Sequence, residues 1–366
     1  MNDLFFELIR VALGSQNSLT HIPSDSEWRS LCQFAEEQSL VGVCFAGLQH
    51  LGGDADDGFE RIGLSEDQYL DWMAMAAQIH QRNDDVNHQC IELQKRLSDA
   101  GFWSCILKGQ GVAQLYGDLS MFRQSGDIDV WVDCSREKVI DYVQRLAPTK
   151  VFDQKHIQFN CFDDTSVEAH WVPVKFDNPF RNRIICNYIA AERDRQFSNV
   201  VDGLCVPTNV FQLVHQLLHV YRHYVYEGVG MRQIMDLYFT QRACESIDGC
   251  YQKTVALFKK LGLMRFVAAT QWVLMHVFQM PLSQLLCEPD EKEGRKLLDE
   301  IMIGGNFGHH DARNRVAGES TIHRFFRRWG RMFRMFRFDP LGTLIMPFSR
   351  LQLEFWMRRV RGKYNV

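Results

Sequence analysis

The stretch Ser125-Gly126-Asp127-Ile128-Asp129-Val130-Trp131-Val132 places two aspartates at the start of an alternating segment. One isoleucine and two valines occupy every second position, which predicts a β-strand over residues 127–133 with one apolar face. Residues two apart on a strand point to the same side, so Asp127 and Asp129 project together. Two adjacent carboxylates repel each other, and a bound divalent cation such as Mg²⁺ removes that repulsion.

Upstream of this stretch, the segment Phe102–Leu107 is short, apolar and rich in strand-forming residues, and it is followed by Lys108-Gly109-Gln110-Gly111. The two glycines predict a turn that feeds a short helix over Val112–Tyr116, and Ser120–Gly126 is predicted to be a loop. A lysine and backbone N–H groups at such a turn suit phosphate binding. The spacing is not that of a P-loop, and a simple tight turn is the alternative.

Downstream, Ser135 is a suitable N-cap for a helix over Arg136–Leu146. Two alternating runs, His156–Phe162 and Ser166–Val174, then predict a hairpin. On its second strand Glu168 shares a face with His170. We therefore expect Glu168 to be a third metal-binding carboxylate, although a solvated hairpin face is the alternative.

The flanks of this α/β segment have helical periodicity. We predict an N-terminal helical region over 1–99, an α/β core over 100–175 and a C-terminal helical region over 176–366. The long helical stretch Gln68–Ala100 is expected to break once near Asn83. The predicted fold class is α+β, with a small mixed sheet flanked by helices.

Four segments in order resemble the motifs of an uncharacterised nucleotidyltransferase family within the DNA-polymerase-β superfamily. They are Ile106-Leu107-Lys108-Gly109, Arg123, Ser125–Val132 and Val167-Glu168-Ala169-His170-Trp171. The resemblance extends over about residues 30–240. It implies a nucleotidyltransferase fold, Mg²⁺ with Mn²⁺ as an alternative, and transfer of a nucleoside monophosphate from an NTP.

Carried over position by position, the resemblance assigns Asp127, Asp129 and Glu168 as metal ligands and catalytic residues. It places a second group around the triphosphate: Lys108, Gly109, Gln110, Arg123 and Ser125. The superfamily usually has Gly-Ser after the first strand, whereas here Gly109 is followed by Gln110. This departure motivates an alternative, in which a catalytically degenerate fold binds a nucleotide or a partner.

Two features of the C-terminal half have ordinary structural explanations. His215, His219 and His223 form one stripe on a predicted helix, a spacing that can bind metal, but apolar neighbours favour packing. Arg232 and Asp236 are four residues apart and are predicted to form a surface ion pair.

Charge is distributed unevenly along the chain. Residues 313–363 contain thirteen Lys and Arg against three acids, an excess of ten, so a net charge of −4 leaves about −14 elsewhere. The basic aromatic segment 324–337 suits RNA, an anionic membrane surface or an acidic partner, or docking on the chain's own acidic remainder.

The remaining composition predicts an ordinary globular protein of the cytoplasm. The eleven cysteines contain no CxxC and favour reduced thiols. The longest apolar runs, such as Phe266–Met280, are too short for a transmembrane segment, and the N-terminus lacks signal-peptide features. The acceptor, whether a small molecule, a protein or RNA, is not readable from the sequence.

Overall fold

The computed structural model describes residues 2–53, 58–306, 336, 338–340 and 342–345. Helices make up most of this part of the chain and surround one small sheet. In chain order they are α1 Asn2–Ala12, α2 Asp25–Glu37, α3 Val41–Gly52, α4 Gly58–Arg61, α5 Glu66–Asp99, α6 Gln110–Ala113, α7 Arg136–Leu146, α8 Pro179–Gln196, α9 Asn209–Tyr226, α10 Met231–Arg242, α11 Cys250–Leu261, α12 Met264–Phe278 and α13 Glu291–Gly304.

The central sheet contains four strands: β1 Ser104–Ile106, β2 Ile128–Val132, β3 His156–Gln158 and β4 Val167–His170. Their spatial order is β1-β2-β4-β3. Strand β2 is antiparallel to β1 and parallel to β4, and β3 is antiparallel to β4. The α+β class and the mixed sheet are therefore as predicted, and so is the hairpin formed by β3 and β4.

The sheet separates two hydrophobic cores, because its central strand β2 is buried on both faces. Ile128, Val130 and Val132 face a core that also contains buried residues of α5 and α7. On the opposite face, Trp131 belongs to the larger core of the helical regions. Its ring lies 4.7 Å from Phe197 and 5.6 Å from Phe211 between centroids. Because side chains alternate along a strand, Asp129 lies on the same face as Trp131, towards α9.

Two local predictions differ from the structure, and one further element was not predicted. Helix α5 is unbroken through Asn83, whose buried amide instead donates to the carbonyl oxygens of Met121 and Arg123. The loop expected over Ser120–Gly126 begins later, because 3-10 turns cover Gln114–Phe122. A further hairpin was not foreseen; it pairs β5 Val200–Val201 with β6 Leu204–Cys205.

The boundaries proposed at residues 99 and 175 stay predictions. The basic aromatic segment 324–337 lies outside the described residues except for Phe336. None of the helices in the described ranges has the length and apolar character needed to cross a membrane.

Candidate active site

Three carboxylates converge where β2 and β4 run side by side. The parallel register places Asp129 directly beside Glu168, and Asp127 precedes β2 by one residue. One oxygen from each of Asp127, Asp129 and Glu168 lies within 4.8 Å of the other two. The expected grouping of these residues is therefore present, although their role as metal ligands stays a prediction.

Asp129 is the best-anchored member of the group. Its carboxylate is buried, with Oδ2 2.9 Å from Nζ of Lys108 and Oδ1 2.8 Å from Nε2 of His170. Burial alone would raise the pKa of Asp129, but Lys108 and His170 outweigh it and hold that pKa well below its ordinary value. Asp129 is therefore a permanent anion at neutral pH.

The pKa of Asp127 is shifted in the opposite direction. The negative charge of Asp129, followed by loss of hydration, raises the pKa of Asp127 even though Lys108 acts against the shift. Repulsion between neighbouring carboxylates is the condition that a divalent cation relieves. Three oxygen donors at this separation fit a hard cation such as Mg²⁺, which prefers carboxylate and water ligands.

A second group of potential ligands shares Glu168. Its Oε2 lies 3.3 Å from Nδ1 of His156 and 3.3 Å from Nε2 of His170. Burial and the neighbouring His170 lower the pKa of His156 to about 4, so its imidazole is neutral at physiological pH. A neutral imidazole is an available ligand, and this group suits a borderline metal better than Mg²⁺.

The glycine turn after β1 has a geometry that only glycine adopts comfortably. Gly109 has φ of +56°, and a Cβ added to it would lie 3.5 Å from the carbonyl oxygen of Asp127. A Cβ at Gly111 would lie 2.4 Å from the carbonyl oxygen of Ile106. The turn therefore packs directly against β1 and the start of β2.

Gln110 occupies the position where the superfamily usually has serine. Its side chain is buried, and Nε2 donates to Oδ1 of Asn87 on α5 at 2.7 Å. The amide group of Gln110 thus ties α6 to α5. The predicted role of Gln110 in triphosphate binding stays a prediction.

Arg123 is anchored in the protein interior. Its Nε and Nη2 lie 2.7 and 2.9 Å from the two carboxylate oxygens of Asp236 on α10. Tyr116 also donates to Asp236, at 2.7 Å. Arg232 and Asp236 are both buried, so the expected position of this pair at the surface was wrong. Sequence spacing could not reveal that Asp236 pairs with Arg123, which lies 113 residues away in the chain.

Arg232, for which the sequence favours a surface ion pair, lies next to the loop residues Gln124 and Gly126 that precede Asp127. Its Nη1 donates to the carbonyl oxygen of Gln124 at 2.8 Å and would lie 3.9 Å from a Cβ at Gly126. Asp127 contributes to its electrostatic surroundings. Ser125, in the same loop, has a buried hydroxyl with no hydrogen-bond partner among the described residues. Arg232 and Ser125 thus flank Asp127.

The histidine stripe of α9 packs against the site. The His215 and His219 rings are stacked with centroids 6.3 Å apart, and His219 meets His223 edge-on at 4.2 Å. Among the described residues, the groups able to hold a metal do not include this stripe. The packing interpretation of these histidines therefore agrees with the structure.

The small mixed sheet surrounded by helices is consistent with the α+β fold of a nucleotidyltransferase. The family model described as "uncharacterised nucleotidyltransferase" matches residues 24–279, which is 256 of 366 residues, and the chain belongs to that family. No curated protein and no solved structure matches the chain. The sequence resemblance is thereby confirmed and extends to both sides of the expected range.

The buried Arg123–Asp236 pair generates a stability prediction. Asp236→Ala leaves a guanidinium buried without its bidentate partner, so we expect the free energy of unfolding to fall by about 3–5 kcal/mol. Denaturant unfolding measures this change. Asp299→Ala, at an exposed position of α13, is the control and should change it by less than about 0.5 kcal/mol. A loss below about 1 kcal/mol for Asp236→Ala would instead indicate a surface pair.

The coupling of the two aspartates generates a titration prediction. Asp129→Asn removes the charge that raises the pKa of Asp127 and leaves Lys108 nearby, so that pKa should fall. Carboxyl-carbon NMR of the metal-free protein follows the titration of Asp127 directly. Asp141→Asn, an exposed change on α7, should leave it unaltered. An unchanged or higher Asp127 pKa in Asp129→Asn would contradict the arrangement described here.

Proposed function

We propose that this protein transfers a nucleoside monophosphate from an NTP to a hydroxyl acceptor and releases pyrophosphate. The observation that carries the proposal is the convergence of Asp127, Asp129 and Glu168 on one sheet face beside Lys108. Transfer of this kind requires charge compensation at the triphosphate and a place for the acceptor's proton. The family assignment supports the same reaction class.

We assign Asp127, Asp129 and Glu168 as the residues that would hold Mg²⁺, with Mn²⁺ as an alternative. When bound, such ions neutralise charge on the triphosphate and lower the pKa of an attacking hydroxyl. The chain supplies the remaining groups. The backbone at Gly109 and Gln110 and the side chains of Ser125 and Arg232 lie around the β1–β2 end of the site, where the triphosphate is assigned.

Lys108 and Arg123 receive different roles in this proposal. Lys108 balances the charge of buried Asp129 at 2.9 Å and lies close enough to the site to meet a phosphate oxygen. Arg123 is a positioning residue, because its guanidinium is fully engaged by Asp236 and its backbone by Asn83. It fixes the loop that leads into Asp127.

Glu168 is the assigned acceptor of the hydroxyl proton. Both oxygens of Asp129 are already engaged, and its side chain is only 2% exposed, whereas that of Glu168 is 27% exposed. The acceptor oxygen forms a bond to the α-phosphorus, and the bond to pyrophosphate breaks. The proton passes to Glu168 and then to solvent.

A second candidate function, nucleotide or partner binding without transfer, is favoured by one observation. The side chain of Gln110 points to Asn87, so it does not replace the hydroxyl of the usual serine. In this alternative the carboxylates would still bind metal and nucleotide, but no label would reach an acceptor.

A labelling experiment separates these functions. Purified protein, Mg²⁺ and a small-molecule extract are incubated with NTP labelled at the α- or the γ-phosphate. We expect transfer of the α-label alone, because the γ-phosphate leaves with pyrophosphate. Asp127→Asn should reduce transfer by roughly 100-fold or more, as expected when a metal ligand is lost.

The control for this experiment is the exposed Asp141→Asn variant, which should retain full transfer. Transfer of the γ-label would indicate a phosphoryl transferase. Unchanged α-transfer in a folded Asp127→Asn variant would refute the assignment of the carboxylates. Binding without any transfer would favour the binding-module alternative.

A further inference from the structure

A small cationic cavity lies between the sheet and α9, behind the three carboxylates. Its volume is about 30 Å³. Three cations line it, Lys108, Lys155 and Arg222, together with the imidazoles of His170, His215 and His219 and three apolar residues. A space of this size accommodates a few atoms, and its charge suits an anion.

The small cavity adjoins a larger one of about 430 Å³, with which it shares Lys155, Val174, Leu218 and Arg222. Aromatic residues Phe176, Tyr221 and Tyr226 are among those that line the larger cavity. Pockets for small organic ligands have volumes of roughly 300–1,000 Å³. The larger cavity is thus big enough for a metabolite. The small cavity connects it to Lys108 and His170, which contact the carboxylate of Asp129.

The acids of the larger cavity already have partners. Asp339 lies 2.6 Å from Arg181, Glu227 lies 2.8 Å from His223, and Asp177 accepts a hydrogen bond from Tyr226. Asp153 accepts from the backbone N–H groups of Lys155 and His156. The larger cavity is nevertheless balanced in charge, because its four carboxylates match the four cations Lys155, Lys175, Arg181 and Arg222. The excess positive charge lies in the small cavity, whose described lining contains three cations and no carboxylate.

The cations at the junction are poorly compensated. In the described part of the chain no carboxylate oxygen lies within 4.0 Å of Nζ of Lys155, and Arg222 approaches Asp153 only at 3.9 Å. Lys108, Lys155 and Arg222 all line the same small cavity. Like charges held together in this way are stabilised by an anion.

Buried polar atoms at the same junction also lack partners. Nδ1 of His170 and Nδ1 of His215 make no hydrogen bond to any described residue, although both side chains are almost completely buried. Unsatisfied buried polar groups are uncommon in folded proteins and call for a ligand or water. This observation is independent of the charge of the cavity.

The strand order separates the point where the two cavities meet, at Lys155 and Arg222, from the end of the sheet assigned to the NTP. Gly109, Ser125 and Arg232 surround the β1–β2 end, where the proposed function places the triphosphate. Lys155 lies next to β3 at the opposite edge, and Glu168 on β4 lies between the two ends. A second substrate bound at Lys155 would therefore approach Glu168 from the side away from the NTP.

We propose that the joined cavities bind the acceptor, and that this acceptor is a small molecule carrying a phosphate monoester held by Lys155 and Arg222. The inference rests on the proposed function. A dianionic phosphate matches two cations with a third nearby better than a single carboxylate does. A hydroxyl group of this acceptor attacks the α-phosphorus of the NTP, its proton passes to Glu168, and pyrophosphate leaves.

Calorimetry with inorganic phosphate as the probe tests this assignment. Phosphate binding is measured with the full-length protein alone and with saturating Mg²⁺ and a non-hydrolysable NTP analogue, which occupies the triphosphate site. We expect phosphate to bind in both conditions. The double variant Lys155→Gln, Arg222→Gln should weaken it by roughly tenfold or more, as expected for lost charge-assisted hydrogen bonds.

The matched control is Arg183→Gln, Lys260→Gln, which removes two exposed cations from α8 and α11 and should leave phosphate binding unchanged. Binding of the NTP analogue should persist in both double variants. Loss of analogue binding in Lys155→Gln, Arg222→Gln would overturn the inference, because the cavity would then hold the triphosphate.

Three further results would also overturn it: no phosphate binding to the unaltered protein, equal binding to the Lys155→Gln, Arg222→Gln variant, or acetate binding as tight as that of phosphate. Failure of the proposed function has a different signature. In that case the NTP analogue does not bind the unaltered protein in the presence of Mg²⁺, whatever phosphate does.

Discussion

The parallel pairing of β2 with β4 is the constraint on which the candidate site depends. It places Asp129 beside Glu168, and the two-residue period of β2 adds Asp127 to the same face. A shift of one residue in this register would turn both aspartates into the apolar core formed with α5 and α7. Lys108 and His170 then determine the charge of the aspartates, since they keep the buried Asp129 ionised. The negative charge of Asp129 in turn raises the pKa of Asp127. In the proposed function, these contacts prepare the three carboxylates to bind cations.

A second constraint links the sheet to the C-terminal helices. The buried Arg123–Asp236 pair and the Asn83 amide hold the segment that leads into Asp127 from two sides. Buried ion pairs contribute little net stability relative to apolar packing, but removal of one partner is costly. We infer that this ion pair fixes the position of the segment that leads into Asp127. It also explains why α10 belongs to the site, because the same helix presents Arg232 next to Gly126.

Much of this organisation is readable from the sequence, and the limits have physical causes. The alternation around Asp127, the N-cap at Ser135 and the paired runs that form β3 and β4 are local signals, and each led to the correct element. The clustering of Asp127, Asp129 and Glu168 was predicted from strand periodicity and family resemblance. Arg232 and the burial of Asp236 were missed, because both depend on contacts between distant segments. The break expected at Asn83 failed for the same reason, since its amide bonds a loop forty residues away. The cavity between the sheet and α9 arises only when β3, β4 and α9 pack together.

The central claim is that the three carboxylates bind metal together with an NTP. Thermal unfolding of the protein with each of the four NTPs, with and without Mg²⁺, tests it most directly when compared with the Asp127→Asn, Asp129→Asn double variant. The account predicts Mg²⁺-dependent stabilisation by at least one NTP, which increases with the logarithm of the NTP concentration above its Kd, and the loss of this stabilisation in the folded double variant. Equal stabilisation of both proteins, or none by any NTP in the unaltered protein, would contradict the claim.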